Sequence, residues 1–203
     1  VLNKWSQIAT QGGSKIKISI DHIIKNINIQ YRLVHRLDKE TSGLLLIAKN
    51  LNYAKKLSFL FKQKEISKFY IALCEGIPKN NESEVKLEIK TKKFKIEDTL
   101  TKYKVLNNNK SISSILFNPQ TGKTHQLRIV SKNLGCPIVG DNKYNAYSKY
   151  KNQSLMLHAF ALRFTINKKK FEFISNLPEN FFNFIKKNNL KINKNLKNYL
   201  YSS

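Results

Sequence analysis

The sequence predicts an α+β fold built on a mixed or antiparallel sheet, and three observations lead there. Short apolar runs of strand length outnumber stretches with helical period. One segment, around Val85, Leu87 and Ile89, alternates cleanly between apolar and charged positions. No strand–helix–strand unit recurs along the chain, which argues against a doubly wound parallel sheet.

Taken in order, the chain opens on a strand, Val1-Leu2-Asn3-Lys4, and runs into a loop at Gln11-Gly12-Gly13-Ser14. Residues 33–38 lead through the polar stretch Lys39-Glu40-Thr41-Ser42 to Leu44-Leu45-Leu46-Ile47, which has the length of a buried strand. Asn50 or Asn52 is placed to cap a helix whose buried stripe holds Leu51, Ala54, Leu57 and Phe61. Residues 69–73 form the next strand, ended by Gly76 and Pro78. The alternating segment 85–89 is a half-exposed strand. Strands over 99–106 and 112–117 follow, with a turn at Asn107-Asn108-Asn109. Thr124 is placed to cap a short helix over 125–134 that Gly135 ends. Residues 155–166 and 171–174 read as a hairpin joined across 167–170, and Pro178 precedes a last helix over 179–187. The lysine- and asparagine-rich stretch 188–203 reads as a basic tail that frays. One domain over 1–187 is therefore expected.

A compact domain of this size buries roughly 70% of its unfolded surface, so it needs no disulfide or metal staple. Cys74 and Cys136 lie far apart and form no CxxC pair. They read as free thiols of a reducing compartment, the cytoplasm. No apolar run approaches the roughly 20 residues of a membrane span, and no signal peptide is visible. The chain opens on Val1 rather than methionine, so a truncated N-terminus is expected.

Lysine and arginine total 37 against 13 acidic residues, a formal net charge of +24. Charge alone leaves two readings open. A basic surface meets a polyanion, because each neutralised phosphate releases condensed counterions. A chain this rich in Lys, Asn and Ile also arises from AT-rich codons, with the lysines merely solvated. Motifs decide between them.

The motif is Val34-His35-Arg36-Leu37-Asp38-Lys39-Glu40-Thr41-Ser42-Gly43-Leu44-Leu45-Leu46-Ile47-Ala48-Lys49. It sets a carboxylate after an arginine and ahead of a Thr-Ser-Gly turn feeding a buried strand, a rigid mount of the kind catalytic groups use. An isolated aspartate here would be read as a turn residue capping its own loop. The whole stretch, however, resembles the catalytic motif of the RluA-type pseudouridine synthases, HRLDxxTSGLLLxAK. A second stretch, Lys68-Phe69-Tyr70-Ile71-Ala72-Leu73-Cys74-Glu75-Gly76, is similar to the family's K-x-Y-x-A-L-x-x-G strand. A third runs over Thr121-Gly122-Lys123-Thr124-His125-Gln126-Leu127-Arg128, Leu134-Gly135-Cys136-Pro137-Ile138-Val139-Gly140-Asp141 and Tyr144. It resembles TGRTHQLRxHxxxLGxPIxGDxxY. Leu157-His158-Ala159-Phe160-Ala161-Leu162-Arg163-Phe164 echoes the family's LHAxxLxF strand. The chain departs from these patterns at Trp5 (usually proline), Lys123 (arginine), Val130 (histidine) and Asn145 (glycine).

The resemblance implies the pseudouridine synthase fold, a mixed, mostly antiparallel sheet with flanking helices and a central active-site cleft. It implies an isomerase that converts uridine to pseudouridine, most similar to the subgroup acting on large-subunit ribosomal RNA. Asp38 is the expected catalytic carboxylate, either attacking C1′ or removing the C2′ proton. Tyr70 is the expected stacking face and a candidate for proton transfer, although a strand tyrosine is commonly just half-buried. Arg128 is the expected ion-pair partner of Asp38, a task suited to a planar, permanently charged fork. Arg36, His35, Lys39, Lys123 and His125 are the expected RNA-binding residues, with a merely packed His35 equally open. Isomerisation conserves atoms, so no cofactor or metal is expected; no P-loop, Gly-rich dinucleotide motif or ligand-spaced histidine set occurs in the sequence. The expected partner is RNA, bound by a monomer and away from any membrane. Two alternatives remain: the same chemistry on tRNA or another RNA, and a catalytically silent RNA-binding or ribosome-assembly factor. Many family members carry an S4-like RNA-binding domain upstream.

Overall fold

The computed structural model describes residues 1–13, 16–90, 94–191 and 196–200. In chain order the first elements are β1 (Leu2–Lys4), α1 (Ile20–Ile27), β2 (Arg32–Leu33), β3 (Ser42–Leu45), β4 (Ile47–Ala48) and α2 (Leu51–Lys62). There follow β5 (Ser67–Glu75), β6 (Glu82–Lys90), β7 (Ile96–Asn108), β8 (Ile112–Pro119), α3 (Gln126–Asn133), β9 (Leu157–Ile166), β10 (Lys169–Ile174) and α4 (Glu179–Lys187), and a short 3-10 turn over Leu196–Leu200. The fold is α+β with antiparallel strand pairing, as expected. The backbone forms two compact units, Val1–Lys68 with Ala159–Ser175, and Phe69–His158 with Asn176–Ser203.

In the first unit β3 lies between β1 and β9, and β10 closes the edge beside β9. Pairing of Lys4 with Gly43 and of Leu2 with Leu45 fixes the register of β1. Gly43 has φ +109, and a Cβ there would stand 2.3 Å from the Ala159 carbonyl oxygen, so glycine is what lets β9 approach. The core gathers Leu44, Leu46 and Ala48 with Ala54, Leu57 and Leu60 of α2, plus Ile66 and Leu162. Asn50 caps α2, its side chain accepting from the Tyr53 N–H. Leu51 does not join the buried stripe; at the first helical position it points to water, and Leu60 takes its place. α1 was not expected. Eight residues bury only Ile20 and Ile24, too short a stripe to stand out, yet Ser19 caps it and Asp21 pairs with Lys25. The β9–β10 turn is tighter than expected: Ile166 pairs with Lys169, and Asn167 and Lys168 alone turn the chain at positive φ.

In the second unit β5 pairs with β8, β8 with β7, and β7 with β6. β8 is buried at seven of its eight positions, whereas β6 is mostly exposed, with only Ile89 sealed. Asn107 and Asn108 extend β7 instead of turning; the turn sits at Asn109, whose Oδ1 accepts from the N–H groups of Ser111 and Ile112. Thr124 does not cap α3. His125 holds the cap position at φ 57 without a side-chain cap bond. Gly135 ends that helix as expected, at φ +74, with its N–H on the Lys132 carbonyl and the Cys136 N–H on the Ser131 carbonyl. α4 buries Phe181, Phe184 and Ile185. Of the expected tail, Leu190 and Leu200 are buried, and residues 192–195 and 201–203 lie outside the described ones. Cys74 and Cys136 are both free and buried.

Candidate active site

Asp38 sits in the loop between β2 and β3, and that loop is tied down at nearly every residue. Thr10 Oγ1 donates to the Leu37 carbonyl at 2.7 Å and accepts from the Leu37 N–H at 3.1 Å, with Thr10 and Leu37 both buried. The Thr41 N–H closes the turn onto the Asp38 carbonyl at 3.1 Å. Ser6 Oγ donates to the Glu40 carbonyl at 2.7 Å. Lys4, a lysine only 1% exposed, donates to the carbonyls of Trp5 and Ile8 at 2.9 Å and of Lys39 at 3.2 Å. Burial pulls the Lys4 pKa down to about 8, and the charge of Asp38 opposes that pull. Asp38 is thus a half-buried carboxylate, within electrostatic reach of a buried ammonium, on a backbone held from both sides.

His35 orients the same loop from below. Its Nε2 accepts from the Leu46 N–H at 2.8 Å, and its ring stacks on Phe61 with centroids 4.5 Å apart. Leu46 falls in the break between β3 and β4, where its N–H has no ladder partner of its own. Burial, then Lys68, pushes the His35 pKa down to about 3, so the ring is neutral and carries its proton on Nδ1. Arg36 and Lys39 on this loop are exposed.

Tyr70, Lys123, His125 and Arg128 belong to the second unit. Tyr70 lies half-buried on β5, paired with Phe117. The approach to α3 is organised by Gln126, a buried amide. Its Oε1 accepts from Thr121 Oγ1 at 2.9 Å and the Lys123 N–H at 3.0 Å, while its Nε2 donates to Thr101 Oγ1 at 2.9 Å. Arg128 meets Asp141 through two hydrogen bonds, Nε to Oδ2 at 2.8 Å and Nη2 to Oδ1 at 2.6 Å. Asp141 Oδ1 also accepts from the N–H groups of Lys143 and Tyr144, at 3.1 and 3.0 Å. Tyr144 then stands beneath the guanidinium, 5.3 Å from ring centroid to Cζ, and its hydroxyl reaches His125 Nδ1 at 3.0 Å. Lys123 is ion-paired with Glu97 at 2.9 Å.

So the structure draws His125 and Arg128 onto one tyrosine, engages Lys123 with a carboxylate, and sets His35 as a packed acceptor. Lys4, Asp141 and Gln126 were not singled out from sequence. Asp141 had a signal, its place in the Gly140-Asp141 pair of the third motif; Lys4 had only its position before Trp5. Among the described residues no cluster of His, Cys, Asp and Glu is arranged to hold a metal ion, and no helix is long and apolar enough to cross a membrane.

The sequence profile of the RNA pseudouridylate synthase family matches residues 1–133. "Ribosomal large subunit pseudouridine synthase C" of Rickettsia typhi is 47% identical, over 78% of this chain and 57% of that protein. "Ribosomal large subunit pseudouridine synthase D" of Borreliella burgdorferi is 34% identical, over 91% of this chain and 64% of that protein. The chain therefore spans somewhat over half the length of these relatives. Among solved structures, "Human RNA Pseudouridylate Synthase Domain Containing 4" superposes with a TM-score of 0.83 at 24% identity, covering 94% of this chain and 89% of that one. That likeness shows the fold, which is the pseudouridine synthase fold. With the motifs, the fold and the profile in agreement, the chain belongs to the RNA pseudouridylate synthase family.

Proposed function

We propose that this chain is an RNA pseudouridine synthase that isomerises uridine to pseudouridine in large-subunit ribosomal RNA, with Asp38 as its catalytic carboxylate. The observation that carries the reading is the mounting of Asp38: a carboxylate on a loop tied through Leu37, Lys39, Glu40 and Thr41, within the family-matched segment. Rigid mounting of this kind is what positioning a reacting group requires. The ribosomal substrate is supported by the printed names of the relatives.

The reaction breaks the N1–C1′ bond, turns the uracil and joins C5 to C1′; C5 gives up a proton and N1 gains one. Nothing is oxidised and no co-reactant is consumed. The Asp38 carboxylate either attacks C1′ or removes the C2′ proton to give a glycal. Tyr70 supplies a stacking face for the uracil and, directly or through water, takes the C5 proton. Arg128 is the third catalytic residue, aimed by Asp141. The target nucleotide has to leave its stack first, at a cost of a few kcal/mol that pocket contacts offset. Exposed Arg36 and Lys39 serve the phosphates around it, with Lys123 and His125 further RNA contacts, in a monomer acting in the cytoplasm.

The test is tritium release from large-subunit ribosomal RNA labelled at uridine C5, comparing wild type with Asp38→Asn. Release by the wild type alone is the expected result, and mapping the product then names the uridine. Release only from tRNA would move the substrate. No release from either RNA, with tight RNA binding kept, would replace this reading by a silent assembly factor.

A further inference from the structure

Trp5 is the chain's single tryptophan, and it stands 79% exposed. Its exposure does not come from a loose segment. The Trp5 carbonyl accepts from the buried Lys4 ammonium, which in the same grip holds the carbonyls of Ile8 and Lys39. The next residue, Ser6, is bonded to the Glu40 carbonyl, and Gln7 closes the turn at φ 70. The indole is therefore mounted on a turn fastened to the two residues that follow Asp38. Arg36 and Lys39 are exposed on that same loop, and the chain as a whole carries +24.

Along the chain the ring is flanked by polar residues, Lys4 before it and Ser6 and Gln7 after it. An exposed aromatic ring on a turn fastened to the two residues that follow Asp38, in a strongly basic chain, is the kind of surface on which a nucleobase stacks. Such stacking tolerates any base, because every base has a π-face. We propose that Trp5 is a stacking platform for an unpaired base flanking the target uridine, so that the site takes its RNA locally single-stranded. The inference rests on the function proposed above and adds a substrate subsite to it.

Because the chain has one tryptophan, its emission reports this ring alone. The chain carrying Asp38→Asn, which holds RNA without turnover, is titrated with end-labelled oligouridylate and with a labelled fragment of large-subunit ribosomal RNA. Tryptophan emission and RNA anisotropy are followed together. Quenching that tracks the binding curve, with loss of access to iodide, is the expected result. In the enzyme with Asp38 intact, Trp5→Ala should raise KM about ten-fold, more than it lowers kcat, with Trp5→Phe restoring most of the loss. RNA binding with unchanged emission, and with equal affinity in Trp5→Ala, would overturn the platform and leave the proposed function standing. An absence of RNA binding in every form would overturn both.

Discussion

Arg128 and Asp141 form a bidentate ion pair in which neither side chain is more than 3% exposed. Two charges so deeply placed are tolerable because the carboxylate is further hydrogen-bonded, its Oδ1 accepting from the backbone N–H groups of Lys143 and Tyr144. The pair locks the plane of the guanidinium while using two of its five donors.

Breaking it from one side should be costly. Asp141→Asn is expected to lower unfolding stability by about 3 kcal/mol or more in a urea titration, since a buried charge loses its partner. The double variant Arg128→Leu with Asp141→Leu should recover most of that stability and none of the activity. Recovery of activity in the double variant would show that Arg128 is structural only.

Lys4→Met removes the donor shared by three carbonyls and is expected to cost about 3 kcal/mol at neutral pH. Its pH dependence has a definite sign. The folded pKa is about 8 and the unfolded value 10.5, so between them the unfolded chain binds more protons. Burying the charged ammonium is thus a cost present in full below pH 8 and relieved towards 10.5. The stability difference between wild type and Lys4→Met should therefore widen from pH 8 to 10; a narrowing would mean that the ammonium is not strained by burial.

His35 acts in the acid range. Its folded pKa of about 3 lies below the ordinary imidazole value of 6.5, so its contribution is complete above 6.5 and drains away as pH falls towards 3. His158, pushed down to about 4 by burial, adds with the same sign. Wild type should lose more stability than His35→Gln between pH 7 and 4.5, read by thermal melts. Parallel curves would place the titration elsewhere.

Two glycines with positive φ should respond differently to alanine. At Gly43 the new Cβ would collide with the Ala159 backbone at 2.3 Å, and a loss of about 3 kcal/mol or more is expected. At Gly135 nothing lies within 4 Å, leaving only the left-handed backbone penalty of about 1–2 kcal/mol. Equal losses would show that the approach of β9 to β3 relaxes freely.

The proposed function gives the exposed Arg36 to RNA and the Asp38 carboxylate to the chemistry, so Arg36→Ala should weaken activity far less than Asp38→Asn. RNA affinity of the wild type should fall steeply with added salt. Complete, equal losses in both variants would sink that division, and a flat salt response would return the lysines to codon usage.

Much of this was readable in the sequence because it is local. The Asp38 loop is one contiguous motif, the strands announce themselves as apolar or alternating runs, and Gly135 stops α3 by backbone chemistry that needs no neighbour. The errors are local signals overruled by packing. Thr124 looked like a cap, but Gln126 reaches across to Thr101 and pulls the helix entry into a left-handed turn at His125. Asn107 and Asn108 looked like a turn, but pairing with Ser114 and Ser113 keeps them in β7.

What the sequence determined by itself was therefore the family, most of the strands and helices, and the motif positions of Asp38, Tyr70 and Arg128. Tertiary structure alone decided that Lys4 is buried, that Asp141 grips Arg128, that His35 is a neutral acceptor and that Trp5 stands out from a fastened turn. Each of these depends on groups brought from other segments, as with the Lys39 carbonyl, 35 positions from the ammonium it meets. Whether a polar side chain is buried, and in which charge state, is set by the partners that surround it, and those partners assemble only when the chain has folded.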